Sequence, residues 1–203
     1  MGKLKRELLN LKNLFIKNEQ KDWELLYNDR SLKFLHSVDQ RPRHYTIAGI
    51  IAEYIDEGGH ILDVGCGYGT LFHLVSRFNI NYTGIDFSKY VIRECENTFI
   101  KNYNCRFEAV AFENYKSSTL FNVIVLNEFL YYFPLKKINY IIEKAINNLI
   151  NKKGILIISM NKNPKSFFVW QKIHSLTQVR QSLRVINSST KSSWCIKVLQ
   201  HPD

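Results

Sequence analysis

The sequence predicts an α/β protein built on a mostly parallel sheet, and three observations carry that expectation. Residues 60–64 read His-Ile-Leu-Asp-Val, a short buried strand, and break at Gly65, Gly67 and Gly69 just before the helical spacing of Leu71, Leu74 and Val75 begins. Residues 80–86 form a second strand-like run that ends on an acid, Asp86, 21 residues after Gly65. The run Val123-Ile124-Val125-Leu126 is the continuous apolar stretch of a central parallel strand covered on both faces. A strand, a glycine turn and a helix start let a ligand approach bare backbone while the first free N–H groups of the helix point at it. A nucleotide-like cofactor is the expected occupant.

Taken in order, residues 3–18 place Leu4, Leu8, Leu11 and Phe15 on one face of an amphipathic helix. A second helical segment from Asp22 carries Trp23, Leu26, Tyr27, Leu32, Phe34 and Leu35, then runs into the polar stretch 36–41. Pro42 suits the first turn of a third helix over 42–57, with Ile47, Ile50, Ile51 and Tyr54 as its buried stripe and Gly58-Gly59 as its stop. Residues 1–40 are therefore expected as an N-terminal helical lid, or as a helical layer completing the core, and 41–203 as the main domain. Helices over 89–101 and 135–151, the latter with Ile138, Ile141, Ile142, Ala145 and Leu149, alternate with strands at 105–110 and 154–159. A helix from Pro164 holds Phe167, Phe168, Trp170 and Ile173. Strand-like runs at 183–186 and 194–199 then flank the polar turn 187–191, an antiparallel hairpin.

The glycine spacing discriminates between cofactors. A dinucleotide fingerprint, G-x-G-x-x-G, would need its third glycine where Thr70 stands, whereas the third glycine here is Gly69. An acid at the end of the second strand can accept both ribose hydroxyls of an adenosine, although Asp86 could instead cap the following helix. Ile61-Leu62-Asp63-Val64-Gly65-Cys66-Gly67-Tyr68-Gly69, then Gly84-Ile85-Asp86-Phe87-Ser88, then the segment from Phe121 to Tyr132 resemble, in order and spacing, three motifs of the class I S-adenosylmethionine-dependent methyltransferases. The resemblance covers roughly residues 40–200. It implies a Rossmann-like, seven-stranded, mostly parallel sheet with helices on both faces and the antiparallel hairpin at one edge.

The same resemblance implies the site. Asp63, Gly65, Cys66, Gly67 and Gly69 would wrap the methionine end of S-adenosylmethionine, Asp86 would bind the ribose, and Phe87 and Ser88 would lie near the adenine. The family often places an Asp where Ala111 stands, so adenine contacts fall to backbone and ring packing around Ala111 and Phe112. Asn122 likewise replaces a usual Asp. Leu126, Asn127, Glu128, Tyr131 and Tyr132 would stand beside the sulfonium and the substrate, the tyrosines equally open to a packing role. Trp23-Glu24-Leu25-Leu26, Arg41-Pro42-Arg43-His44 and Asn127-Glu128-Phe129-Leu130-Tyr131-Tyr132-Phe133 look like small bacterial methyltransferases, nearest to nodulation-type N-methyltransferases acting on an amino sugar. There an Arg ahead of the glycine loop pairs with the cofactor carboxylate: Arg43 first, Arg41 second. Glu128 is the candidate base, with His36 or His44 as alternatives.

Composition narrows the function classes. With 203 residues, 45% hydrophobic and 23% charged, the chain is long enough for one core without cross-links. Cys66, Cys95, Cys105 and Cys195 form no C-x-x-C pair and lie in no zinc-like spacing, which suits free thiols in a cytoplasm; no metal is expected. No stretch approaches the roughly 18 apolar residues of a membrane span, and Arg6 stands where a myristoylation motif wants Ser or Thr. The net charge of +10 would attract anions, but the lysines are scattered and form no block. A small-molecule or saccharide acceptor, methylated on nitrogen or oxygen by a monomer or homodimer, is the expectation. RNA methylation is the alternative that the charge suggests, without an Asn-Pro-Pro-Tyr type segment to support it. A non-catalytic cofactor-binding homologue is the alternative that Ala111 and Asn122 suggest.

Overall fold

A computed structural model describes residues 20–29, 31–174 and 178–200. The expected helix over 3–18 lies outside the described residues. The described residues begin with helix α1 (Gln20–Asn28), two 3-10 turns (Ser31–His36 and Val38–Gln40) and α2 (Arg41–Tyr54), which Pro42 starts in its first turn. There follow β1 (His60–Val64), α3 (Thr70–Val75), β2 (Asn81–Asp86), α4 (Lys89–Thr98), β3 (Cys105–Ala109) and β4 (Phe121–Asn127). After a 3-10 turn at Leu130–Tyr132 come α5 (Leu135–Glu143), β5 (Ile150–Asn161), α6 (Pro164–His174), β6 (Gln178–Asn187) and β7 (Ser192–Gln200).

Seven strands among the described residues form one sheet in the order β3-β2-β1-β4-β5-β7-β6. The first five are parallel, and β7 runs antiparallel between β5 and β6. The expected mostly parallel sheet with an antiparallel edge hairpin is the observed one. Alternation along the strands divides the core into two layers. Ile61, Val123, Val125, Ile155 and Ile157 face α1 to α4 through Trp23, Ile47, Ile51, Phe72 and Val91. Leu62, Val64, Ile124, Leu126 and Leu156 face α5 and α6 through Ile138, Ile141, Ile142, Val169 and Ile173. Trp23, Tyr27 and Leu32, from the segment expected as a lid, are buried in the first layer together with residues of α2 and the sheet.

Several boundaries differ from those expected. The segment from Asp22 is not one helix, since α1 ends at Asn28 and a 3-10 turn begins at Ser31. The helix expected to reach residue 151 continues beyond Glu143 only as a π-helical stretch to Leu149, and β5 starts at Ile150. Phe121 pairs with Ile150 and Val123 with Ile155, so β5 bulges where Asn151-Lys152-Lys153 mimic a turn. Gly154 closes that bulge because a Cβ there would come 2.9 Å from the carbonyl oxygens of Phe121 and Asn122. The strand expected at 183–186 spans the longer Gln178–Asn187, and none of the described helices is long and apolar enough to cross a membrane.

Candidate active site

Strand order changes direction at β1, from which the chain builds outward to β2 and β3 on one side and to β4 and β5 on the other. Parallel sheets bind ligands at the carboxyl ends of their strands beside such a point. A cavity of about 610 Å³ opens there, lined by the glycine turn, the ends of β2 and β4, and residues of α1 and α2.

The turn is fixed from below. The N–H groups of Gly65 and Cys66 both donate to the Ile85 carbonyl oxygen, at 2.8 and 3.1 Å. Gly65 adopts φ +72° and Gly67 φ +52°, a region that L side chains rarely enter. A Cβ on Gly65 would meet the Phe129 ring at 3.0 Å, whereas one on Gly67 would meet only the Tyr27 hydroxyl at 3.6 Å. Gly67 thus presents bare backbone to the cavity, a cradle a side chain would fill.

Asp86 links that cradle to β2. Its Oδ2 accepts from the Gly67 N–H at 3.2 Å and from the Tyr27 hydroxyl at 3.4 Å, and its Oδ1 accepts from the Ser88 N–H at 3.0 Å. Burial pushes its pKa up to about 6 against those bonds. Asp63 is buried too, accepts the Tyr82 hydroxyl at 2.6 Å and is pushed up to about 7.

At the end of β4, Glu128 takes the left-handed conformation (φ +59°), a costly one for a residue with a Cβ. Its Oε1 accepts from the Asn161 N–H at 2.7 Å, and its Oε2 accepts from the Tyr131 hydroxyl at 2.7 Å. Arg43 Nη1 stands 3.3 Å from the same Oε2 as an ion pair. Burial raises the Glu128 pKa, opposed by Arg43, Tyr131 and the Asn161 N–H. Arg43 itself is almost fully buried, its guanidinium lies 5.5 Å over the Trp194 ring, and neither Nε nor Nη1 has a hydrogen-bond acceptor among the described residues. Asn127 Oδ1 is a further buried polar atom without a partner there.

Most of the residues picked out from the sequence meet in this cavity. Arg43, Asp63, Gly65, Cys66, Gly67, Asp86, Phe87, Ala111, Phe112, Asn127, Glu128, Tyr131 and Tyr132 all line it. Gly69 and Arg41 instead line a neighbouring cavity. Ser88 is fully buried below the floor, where its hydroxyl accepts the Val91 N–H as the N-cap of α4 and donates to Glu24. His44 lines the cavity with its ring tied down. Arginine only donates, so Nε2, 3.4 Å from Arg43 Nη2, is the acceptor, and Nδ1 donates to the Gln40 carbonyl oxygen at 3.0 Å. The side chain of His36 lies outside the described residues.

Five contributors had no local motif. Tyr27 reaches Asp86 across 59 residues of sequence. Glu24 accepts from the Ser88 hydroxyl and the Lys89 N–H at 2.9 and 2.7 Å, capping α4 from another helix. Glu113 and Lys137 pair at 3.3 Å on the cavity wall, and Lys165 of α6 completes that wall. Only the amphipathic aromatics of 22–35 hinted at Tyr27.

The arrangement has two ends. One offers a carboxylate, bare backbone and the rings of Phe87 and Phe112, a seat for a nucleoside. The other offers a buried Arg–Glu pair walled by Trp23, Tyr132 and Tyr131, whose rings contact one another in series, and by Phe129, whose ring contacts Phe112.

A family model described as a methyltransferase domain matches residues 55–200. No curated protein sequence matches the chain. Among solved structures, the N-methyltransferase NodS from Bradyrhizobium japonicum WM9 in complex with S-adenosyl-L-homocysteine is 15% identical, with 84% of this chain and 91% of that chain covered and a TM-score of 0.72. The 1,6-didemethyltoxoflavin-N1-methyltransferase of Burkholderia thailandensis, also 15% identical, gives 91%, 87% and 0.74. The magnesium protoporphyrin IX methyltransferase of Synechocystis PCC 6803 gives 12% identity, 92%, 99% and 0.69. At such identities the likeness is one of fold.

Proposed function

Because this chain belongs to the methyltransferase-domain family, we propose that it moves a methyl group from S-adenosylmethionine to a nitrogen or oxygen of a small molecule or saccharide. The observation that carries this reading is the single cavity joining the Gly67–Asp86 cradle to the buried Arg43–Glu128 pair. The residues present fit the cofactor. Asp86 would accept the ribose hydroxyls, and Phe87, Ala111 and Phe112 would flank the adenine. Arg43, with unfilled donors, would take the carboxylate, and Asn127 Oδ1, with no partner among the described residues, would accept from the ammonium.

When bound, the cofactor supplies a methyl group already activated by its sulfonium. The protein's work is then positioning and water exclusion, which can lower a barrier substantially without a covalent step. Tyr131 Oη, 2.7 Å from Glu128 Oε2, relays the acceptor's proton to that carboxylate, whose burial raises its affinity for a proton. Trp23, Tyr27 and Leu35 line the cavity, and Glu24 and Tyr27 fasten α1 at its nucleoside end.

The reading is tested by calorimetric titration and melting with S-adenosylhomocysteine. Ligand at about 100 times its dissociation constant should stabilise the fold by about 2.7 kcal/mol, roughly 5–10 °C for a chain of this size. No shift at millimolar ligand would refute it.

The pH dependence has a definite sign. Asp86 accepts two hydroxyls only when ionised, so affinity should fall up to about tenfold per unit as pH drops below about 6. Stability of the ligand-free protein should run the other way. A folded pKa raised above the unfolded value makes ionisation oppose folding, so stability is lost as pH rises from about 4 to the folded values of about 6 and about 7 for Asp86 and Asp63. Affinity and melting measured across pH 4.5–7.5 should therefore move in opposite directions.

A further inference from the structure

The charge of this chain is unevenly divided. Residues 1–129 hold 16 Lys and Arg against 16 Asp and Glu, while residues 130–203 hold 12 against 2. The whole +10 excess thus comes from the part that builds α5, β5, α6 and the β6–β7 hairpin, although the lysines form no run in sequence. That half forms one side of the cavity.

Within the cavity, cations and anions sort the same way. Arg43 pairs with Glu128 and Lys137 with Glu113, so neither is a free charge. Asp63 and Asp86 have no cationic partner among the described residues and lie at the cofactor end, which suits a ligand carrying a sulfonium and an ammonium. The remaining lining cation is Lys165, with no acid within ion-pair distance among the described residues.

Lys165 sits in the first turn of α6, which packs on the 130–132 turn that holds Tyr131 and Tyr132. That turn is locked: the Ser166 N–H donates to Asn163 Oδ1 at 2.8 Å, and the Asn163 N–H donates to Ser166 Oγ at 3.0 Å. A lysine there places like charge against the positive end of a helix, an arrangement that an anion between them relieves. Partial burial without a counter-charge also holds its ammonium below the ordinary lysine range. The flat rings of Phe129, Tyr131, Tyr132 and Phe133 line the same cavity.

We propose that the methyl acceptor is an anion, a carboxylate or phosphate ester on a planar apolar body, and that Lys165 seats its charged group. This rests on the methyltransferase reading and adds the acceptor's class to it. The basic half of the surface steers such an acceptor toward the open side of the cavity, and its charge is attracted to the sulfonium beyond.

The test uses full-length protein saturated with S-adenosylhomocysteine and titrated with 4-aminobenzoate, phenyl phosphate and the neutral 4-aminobenzamide. At least one anion should bind about tenfold tighter than the amide; which one does separates carboxylate from phosphate. The preference should collapse in Lys165→Gln, persist in Lys165→Arg and be unchanged in Lys152→Gln, which removes an exposed charge on β5. If neither anion outbinds the amide, or if Lys165→Gln keeps the preference, the assignment is wrong. Titration of S-adenosylhomocysteine on the same proteins separates the two failures, since its loss from wild type would sink the methyltransferase reading itself.

Discussion

Replacing Asp86 by Asn should weaken S-adenosylhomocysteine binding by about 3 kcal/mol, roughly a hundredfold, because two hydroxyls lose a charged acceptor. The geometry makes the swap far from conservative. Asp86 accepts on both oxygens at once, from the Ser88 N–H on one and from the Gly67 N–H and Tyr27 hydroxyl on the other. An amide offers one oxygen, so either orientation turns an NH2 toward an N–H donor. The cradle loses its tie to β2, or the N-cap residue of α4, Ser88, loses the acceptor of its N–H. Stability should nevertheless hold or rise near neutral pH, since ionising this buried acid opposes folding by a penalty that builds from about pH 4 and is fully present above about 6. Titration and melting on one preparation decide the matter. A variant that binds like wild type removes Asp86 from the ribose, and one that merely unfolds makes the residue structural.

The fold was legible in the sequence wherever local pattern and long-range packing agree. β1, the glycine turn and β4 were readable because a doubly covered strand must be apolar throughout, and a turn that bares its backbone to a cavity must be glycine. The edge hairpin was readable because alternation survives where one face meets solvent. The start of β5 was hidden because Leu149 and Ile150 are both buried and continue a helical apolar pattern, while the bulge at 151–154 carries the polar residues of a turn.

The site was legible in its residues and not in its pairings. Arg43, Asp86, Asn127 and Glu128 stand out by place in a motif, yet nothing local says that Arg43 meets Glu128 or that Tyr27 meets Asp86. Nor does anything local tell Ser88 the helix cap from Ser88 the ligand contact, because both roles call for a small hydroxyl after a strand. The even scatter of lysines likewise concealed that the excess charge falls on one half of the fold.

The Arg43–Glu128 pair offers the second large effect. Glu128→Gln should cost about 3 kcal/mol of stability, roughly 10 °C in melting temperature, since it leaves a nearly inaccessible guanidinium without a counter-charge. Methyl transfer should fall by about two orders of magnitude as the proton acceptor beyond Tyr131 disappears. Arg43→Met should cost less stability, because Glu128, its pKa already raised by burial, can take up a proton and become neutral. It should instead weaken S-adenosylhomocysteine by about 2 kcal/mol, the worth of a charge-assisted bond to the carboxylate. The double variant is the informative one. With both charges gone, no ion is left buried alone, so it should melt above Glu128→Gln while staying inactive. Recovery of stability without recovery of turnover would show that the pair is kept for binding and proton transfer at a cost to the fold. Strictly additive losses would mean that the two residues act apart, and the 3.3 Å contact would then have no part in the chemistry.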